Sequence, residues 1–556
     1  MQKVRIMALG GLDEDGKNMT LIEIDQDIFI IDCGLKYPNN SEQLGIEYII
    51  PDFSYVLEHK EQVKGVIITH GHDDVMVGLS YLLHEVDLPV YATPLTARIL
   101  KREFEKHDLK HKNIEVIKRS DTFKIAGHTI HTFPVMQSIA DGIGVSFETK
   151  NGQIIYASEC MFDYGFNNSS FAMNISSLAH LSEKKVLALM LESVGANRLG
   201  FTSPSHRIAP RIERFFAESE ERIIISLYKQ NLFRIIEILD LAKKYHKRVY
   251  FVDEDNRRIL KDVEELGYYH IPKDMLVSRR DFNNTLDNIV IIVSGSGNEV
   301  FRHMNRIALG DDREIELFES DQIIIASPVV PGTEKEAGNM ENDLYVANHK
   351  VYKIGAKEAL SMHASSEDIK MLISMFHPDY YIPVKGNYSR LLANAELANH
   401  IGYRPDRIII LDNGQFATFE DGRLVSTSET IELNEMLIDG KDKLDLTGMV
   451  LRDRETLSTD GAIVLGVILN FETKELIGGP DIQSRGVIYL KDADYILEEV
   501  SKILCETIET AVKEDRYDNM KVRLEAKEKI SKYIFKQTGK KPMILPAIVE
   551  INEAKH

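Results

Sequence analysis

Ile67-Ile68-Thr69-His70-Gly71-His72-Asp73-Asp74-Val75 is the stretch on which the fold turns. An apolar run ends in a threonine, and two histidines and two carboxylates follow before the next helix begins. Alternate histidines in an extended turn aim their imidazoles at one locus, and a neighbouring carboxylate can orient a ligand or serve a second cation. Placed at the end of a strand, the pattern points to a metal site rather than to solvated loop histidines.

Around this stretch, residues 1–160 read as short β-rich segments bounded by Gly, Pro and Asp, among them Val4-Leu9, Met19-Ile24, Ile28-Asp32, Gly65-Thr69 and Ile154-Ala157. Past Arg222 the rhythm changes. Strand-like Arg222-Leu227, helical Leu232-Tyr245, strand-like Arg248-Asp253 and helical Ile259-Leu266 alternate as βαβ units, which implies a parallel sheet. Tyr380-Val384 and Arg407-Leu411 then read as short strands framing a helix. Polar Ser426-Thr430 and Asp439-Asp445 look like a linker, and the remainder reads as strands at Ala462-Leu469 and Val487-Leu490, two long amphipathic helices, and strand-like Met543-Ile551.

A chain of 556 residues with 44% apolar and 28% charged residues is too long for one core, so several domains are expected. No apolar run approaches the roughly 20 residues of a membrane helix, and no signal-like segment opens the chain; a soluble, cytoplasmic protein is expected, with no membrane partner. Cys33, Cys160 and Cys505 are odd in number and far apart, which fits neither a disulfide framework nor a Cys-x-x-Cys metal site. The net charge of -20 argues against nonspecific nucleic-acid binding by the whole surface, although pairs such as Lys229/Arg234 and Lys385/Arg390 could line a local channel.

The motif resembles the His-x-His-x-Asp-His signature of metallo-β-lactamase-fold hydrolases. Further stretches resemble the ribonuclease J family across almost the whole chain: Ala8-Leu9-Gly10-Gly11 with Gly16-Lys17-Asn18, Ile31-Asp32-Cys33-Gly34, Ser327-Pro328, Val450-Leu451-Arg452-Asp453-Arg454, Ser484-Arg485-Gly486 and Lys541-Pro542-Met543-Ile544-Leu545-Pro546. The resemblance implies an α/β protein: a metallo-β-lactamase αββα sandwich over 1–205 and 356–425, an inserted β-CASP domain with a parallel sheet over 206–355, a linker over 426–449, and a small α/β C-terminal domain over 450–556 that supports oligomerisation. It also implies a ribonuclease acting in RNA maturation and mRNA decay, with RNA and an active ribonuclease J paralogue as partners, in a homodimer or a mixed oligomer.

The departures from the family pattern matter as much as the matches. Val75 stands where the signature ends in histidine, Gln137 where a histidine precedes Ser-Ile, Glu159 where Thr-Gly-Asp has its bridging aspartate, and Lys385 where Pro-x-His-Gly-Glu has its last histidine. Valine offers no lone pair, a carboxamide is a weak neutral ligand, and an ammonium repels a cation. The first metal position would keep His70, His72 and Glu159, with Gln137 or water as fourth donor; the second would keep only Asp74 and Glu159. At most one divalent ion, zinc or manganese, is therefore expected, with the second site empty and Lys385 supplying part of its charge.

The resemblance carries substrate residues too. Asn231 and Arg234, in Gln230-Asn231-Leu232-Phe233-Arg234, and Ser361 and His363, in Ala359-Leu360-Ser361-Met362-His363, match turns that hold an RNA 5′ phosphate, whereas Phe233 and Ala359 remove polar partners. Asp74, Glu159 and His363 are the candidate catalytic residues, with His363 able to contact the scissile phosphate or protonate the leaving oxygen, and Lys385 is a further candidate substrate contact. Glu192 matches the family's acidic β-CASP motif. The expected activity is a type-2 paralogue's weak hydrolysis, more endonucleolytic than 5′-3′ exonucleolytic. The alternative is a noncatalytic RNA-binding subunit of a mixed complex; a small-molecule hydrolase of β-lactamase type leaves the β-CASP-like insert without a role. Gly10-Gly11 with Gly16 is read as a structural turn, since Asp13, Glu14 and Asp15 would repel phosphate there. The Ser294-Gly297 turn reads equally as a phosphate-facing turn and as a tight connection.

Overall fold

The computed structural model describes residues 2–38, 46–111, 113–166, 168–330, 332–347, 350–439, 442–443, 449–487 and 494–552. Most of the strand expected at Val487-Leu490, and several residues of the stretch read as a linker, lie outside them. Among the described residues no helix is long and apolar enough to cross a membrane.

The chain divides into two compact units, the first holding residues 1–39 and 47–441. Two sheets form its base. One runs in the order Arg423–Ser426, Ala417–Glu420, Lys3–Gly10, Met19–Ile24, Asp27–Ile31, Val63–Ile68, Val90–Ala92, Ile114–Val116; the other in the order Tyr380–Val384, Val186–Glu192, Gly152–Ala157, Ile143–Thr149, His128–Pro134, Asp121–Ile125. Side chains alternate across a strand, and both faces of these strands are apolar. Ile22, Phe29 and Ile31 of the first sheet meet Val145, Phe147 and Met190 of the second in a core between the sheets. The opposite face of the first sheet, Leu21, Ile30 and Ile68, packs on Leu79, Leu82 and Leu100 from helices Gly78–Glu85 and Pro94–Lys106. The opposite face of the second, Ile155 and Leu189, packs on Leu372 and Phe376 from helix Ser366–Phe376. The layers are helix, sheet, sheet, helix, the αββα arrangement expected. Burial of each such side chain contributes about 1.5–3 kcal/mol.

Between Glu192 and Ser366 the chain builds a separate five-stranded sheet in the order Arg248–Phe251, Ile289–Gly295, Ile223–Tyr228, Gln322–Ile325, Val351–Lys353, with every pairing parallel. Its three inner strands are Val/Ile-rich because helices such as Leu232–Lys244, Glu254–Glu265 and Glu299–Leu309 supply the crossovers and cover the sheet, as βαβ connections require.

Two local readings need correction. Arg407-Leu411 is no strand: Pro405 opens a short 3₁₀ turn, Pro405–Arg407, and only Ile408 bridges to Tyr381. Within the expected linker, Met436–Asp439 is a strand antiparallel to Tyr48–Ile50, with Ile438 buried. Four residues carry too little periodicity to announce a strand whose pairing partner lies almost 390 positions earlier in the chain.

The second unit contains residues 442–556. In it, Ala462–Asn470 is the central strand, antiparallel to Leu476–Arg485 and parallel to Met543–Ile551. Ile463, Leu465, Val467 and Leu469 pack on the helices Asp494–Lys513 and Asn519–Thr538 through Val500, Leu504, Ala526 and Ile530. Val464 and Ile468, with their partners Leu545 and Val549, leave an apolar stripe exposed on the other face.

Candidate metal and catalytic site

Four strand ends make the site. Gly152–Ala157, Val186–Glu192 and Tyr380–Val384 are adjacent and parallel, with Ala157 opposite Leu191 and Glu192 opposite Val384. Their shared register delivers Glu159, Glu192 and Lys385 to one edge. Val63–Ile68, in the facing sheet, ends on Thr69 and presents His70 and His72 before the short helix Asp73–Met76. Lys385 takes a left-handed φ of 56°, which turns the chain sharply at the strand's end.

One ligand atom from each of His70, His72, Asp74 and Glu159 lies within 4.8 Å of all the others. His70 Nε2 and His72 Nδ1 are 3.1 Å apart. Glu159 Oε1 is 3.5 Å from the first and 3.6 Å from the second. Each imidazole is anchored by its other nitrogen: His70 Nδ1 to Thr69 Oγ1 at 2.8 Å, His72 Nε2 to Ser138 Oγ at 2.9 Å. Thr69 Oγ1 donates to Asp32, 2.9 Å from Oδ1, and so accepts from His70 Nδ1, which leaves the Nε2 lone pair for the cluster. Asn18 Nδ2 donates to Asp74 Oδ2 at 3.0 Å. Asp32, Thr69, Ser138 and Asn18 were not legible as site residues, because each touches the site only through another side chain.

Lys385 completes the cluster. Its Nζ lies 2.5 Å from Glu159 Oε1 and 3.0 Å from Asp74 Oδ2. Burial opposes its charge, but Asp74 and Glu159 hold its pKa well above the ordinary lysine value. Burial likewise opposes the charge on Glu159 and Asp74, and Lys385 overrides it, holding both carboxyls below their usual values. Burial pushes His70 down to about 4, so it is neutral at pH 7 with a free lone pair. On His72 burial is outweighed by Glu159, and the pKa rises. Two imidazole nitrogens and a carboxylate oxygen are a donor set that suits zinc or manganese. Val75 is buried and adds no donor. Gln137 is buried with neither carboxamide atom hydrogen-bonded among the described residues, an arrangement that costs about 1–3 kcal/mol unless a ligand or water relieves it.

His363 is oriented by a carboxylate. Its Nδ1 is 2.7 Å from Glu192 Oε2, while Glu192 Oε1 accepts the backbone N–H groups of Cys160 and Ala364 at 3.0 and 2.9 Å. A histidine so held presents its other nitrogen for proton transfer.

Four family descriptions match the chain: Metallo-beta-lactamase superfamily at residues 12–143, Ribonuclease J beta-CASP domain at 220–344, Zn-dependent metallo-hydrolase RNA specificity domain at 350–408, and Ribonuclease J C-terminal domain at 449–551. Ribonuclease J 2 of Staphylococcus aureus strain MRSA252 is 31% identical over 550 residues, 99% of this chain and 98% of that protein. The chain belongs to the ribonuclease J family. Ribonuclease J 2 of Staphylococcus saprophyticus is 30% identical over 552 residues, 99% of each chain. A crystal structure of a protein of unknown function from Enterococcus faecalis V583 superposes with a TM-score of 0.50 at 13% identity, covering 75% of this chain and all of that one, a likeness of fold alone. The family is one of metal-dependent ribonucleases acting in RNA processing, and it accounts for the divalent-metal cluster and for an RNA-binding surface.

The stretches 230–234 and 359–363 meet at a seam, where Arg234 reaches the carbonyl of Leu360. Asn231 Oδ1 caps helix Leu232–Lys244 by accepting from Arg234 N at 3.1 Å. Arg234 is buried and donates to the carbonyls of Ala326 and Leu360 at 3.3 and 3.1 Å; Ser361 Oγ accepts from Arg198 at 3.0 Å. Lys385 lies against Asp74 and Glu159 of the candidate metal-ligand group. Phe233 fills an aromatic cluster with Phe166 and Phe171, 4.4 and 5.9 Å between centroids. Gln230 and Asp73 close the seam: Gln230 Nε2 lies 2.5 Å from Asp73 Oδ1, and Asp73 Oδ2 accepts from Ser296 Oγ at 2.9 Å and Tyr37 OH at 3.1 Å. The Ser294-Gly297 turn thus bonds to the carboxylate between the two metal-motif residues His72 and Asp74.

Burial pushes Asp32 up from 3.8 to about 7, against the hydrogen bonds from Thr69. Between those values the folded chain keeps a proton that the unfolded chain releases, so stability present below pH 3.8 is lost as pH rises to about 7, at up to about 1.4 kcal/mol per pH unit. Urea unfolding of chelator-treated protein across this range should show that decline, and Asp32→Asn should flatten it. Parallel curves for the two proteins would contradict the assignment.

Proposed function

We propose that this family member is an attenuated, single-metal ribonuclease whose residual cleavage is more endonucleolytic than 5′-3′ exonucleolytic, and which works in a complex with an active ribonuclease J paralogue. The observation that carries the reading is Lys385 Nζ, 3.0 and 2.5 Å from the carboxylates of Asp74 and Glu159. These are the two groups left to serve a second cation, and a charged ammonium already offsets one of their two charges.

A bound divalent ion supplies Lewis acidity that lowers the pKa of water and polarises a phosphoryl oxygen. His70, His72 and Glu159 would hold it, with the unpartnered Gln137 carboxamide as a further donor. Asp74 orients the attacking water from the edge of the cluster. His363, fixed by Glu192, protonates the leaving oxygen. Lys385 supplies only one of the two positive charges that a second divalent ion would apply to the transition state, so the reaction is slow. Asn231, Arg234 and Ser361 remain the candidate substrate contacts, but their present bonds to Arg234 N, to two backbone carbonyls and to Arg198 support a weak 5′-phosphate pocket.

The division into a metallo-β-lactamase part, 1–205 and 356–425, a β-CASP insert over 206–355 and a C-terminal domain over 450–556 is supported by the return of Tyr380–Val384 and Ala417–Glu420 to the two sandwiched sheets. The exposed stripe of Val464, Ile468, Leu545 and Val549 supports association through the C-terminal domain.

Protein purified without chelator should carry about one divalent ion per chain by mass spectrometry. The His70→Ala/His72→Ala double variant should lose both the ion and RNA cleavage. Two ions per chain would overturn the single-metal reading, and cleavage unchanged in the double variant would leave a noncatalytic subunit. A circular RNA should be cut at a rate within about threefold of its 5′-phosphorylated linear counterpart; a resistant circle beside rapid trimming of the linear form would sink the endonuclease preference. Coexpression with an active paralogue should yield a mixed complex by mass measurement, and Val464→Glu/Val549→Glu should disperse it by burying unpaired charge at the contact. Assembly unaffected by that pair would remove the stripe from the interface.

A further inference from the structure

The loops that carry Glu159 and brace His363 continue into a surface that the metal cluster does not use. Glu159 leads through Phe162 to Tyr164, and the crossing after Glu192 runs through Leu199-Gly200-Phe201. Leu199 is 93% exposed, Tyr164 73% and Phe201 48%. The Tyr164 ring lies within 27° of parallel to that of buried Phe162, 6.4 Å away. Phe162, Tyr164, Phe201 and Pro204 line an open cavity of about 490 Å³.

The cavity's chemistry narrows its occupant. Among its lining residues the charged side chains are Asp163 and Arg207, and they pair, Arg207 Nη2 and Nε lying 2.6 and 3.2 Å from Asp163 Oδ2. What remains is aromatic and uncharged, poorly suited to a phosphate and well suited to a flat π-face. The surface is also tied to the reacting end of the site: Thr202 Oγ1 and Arg198 Nη2 both donate to the carbonyl of His363, at 2.7 and 2.9 Å. Thr202 stands between the lining residues Phe201 and Ser203, so the rim of the cavity is bonded to the backbone of His363. Single-stranded nucleic acids are held by bases stacked on exposed aromatic rings next to a phosphate-directed site.

We propose that Tyr164 and Phe201 form a stacking platform for an unpaired nucleobase of the RNA strand flanking the scissile phosphate. The proposal rests on the ribonuclease reading and assigns to it the two rings that hold a base at this point of the path.

The chain contains no tryptophan, so Tyr164→Trp introduces a single fluorophore at the platform. In chelator-treated protein, a single-stranded oligoadenylate of about 12 nucleotides should quench this tryptophan, and a blunt duplex of the same length should not. Tyr164→Ala and Phe201→Ala should each weaken single-strand binding about tenfold by anisotropy and leave duplex binding within about twofold. Quenching that persists in the His70→Ala/His72→Ala background supports the platform even where cleavage fails. Absent quenching with unchanged affinity in both alanine variants overturns it, whether or not RNA is cut. Equal losses for single strand and duplex also overturn it.

Discussion

A lysine ammonium buried between two carboxylates organises this active-site edge. Lys385 bridges Glu159 and Asp74 at 2.5 and 3.0 Å in a pocket where each charge alone would be costly to desolvate. The three groups carry a net charge of about -1, against about -2 for two carboxylates alone. One dication is attracted to that remainder; a second would meet an ammonium already in place. The counter-charge is covalently attached and cannot dissociate, so the carboxylates stay aligned whether or not metal is present. That constraint connects the weak chemistry proposed for the chain to the stability of its fold.

The neighbouring residues follow from sheet geometry. Parallel strands in register end on the same edge, so Glu159, Glu192 and Lys385 converge although the chain between Glu159 and Lys385 spans an entire inserted domain. Ligand sites collect at the carboxyl ends of such strands because the loops there are free to carry polar side chains while the strands are packed on both faces. Behind the first residues stands a layer that fixes them: Asp32 through Thr69 for His70, Ser138 for His72, Asn18 for Asp74, Glu192 for His363.

The inserted domain is joined to this edge by hydrogen bonds that converge on Asp73. Gln230 comes from the loop after Ile223–Tyr228 and Ser296 from the turn after Ile289–Gly295, and both bond to the carboxylate that separates two metal-motif residues. The helix that follows Gln230, Leu232–Lys244, places Phe233 in an aromatic cluster, and its cap Asn231 and its Arg234 are committed to backbone groups. Groups that could meet an RNA phosphate are thus engaged in holding the seam.

By itself the amino-acid sequence determined a β-rich start and a βαβ insert, because short apolar runs and their alternation with helical spacing are local patterns; the αββα layering was implied by the resemblance to the ribonuclease J family. It also determined the metal motif around His70, since the ligands sit within five residues of one another, and the chemical consequence of Val75 and Lys385, since donor capacity is a property of the side chain alone. Only the tertiary structure decided that Lys385 meets Asp74 and Glu159, that Glu192 orients His363, and that Asp73 binds Gln230 and Ser296. It also reduced the strand expected at Arg407-Leu411 to a single bridge at Ile408 and made Met436–Asp439 a strand. Those outcomes depend on partners tens to hundreds of residues away, whose distances are set by sheet register and packing and leave no periodic trace along the chain.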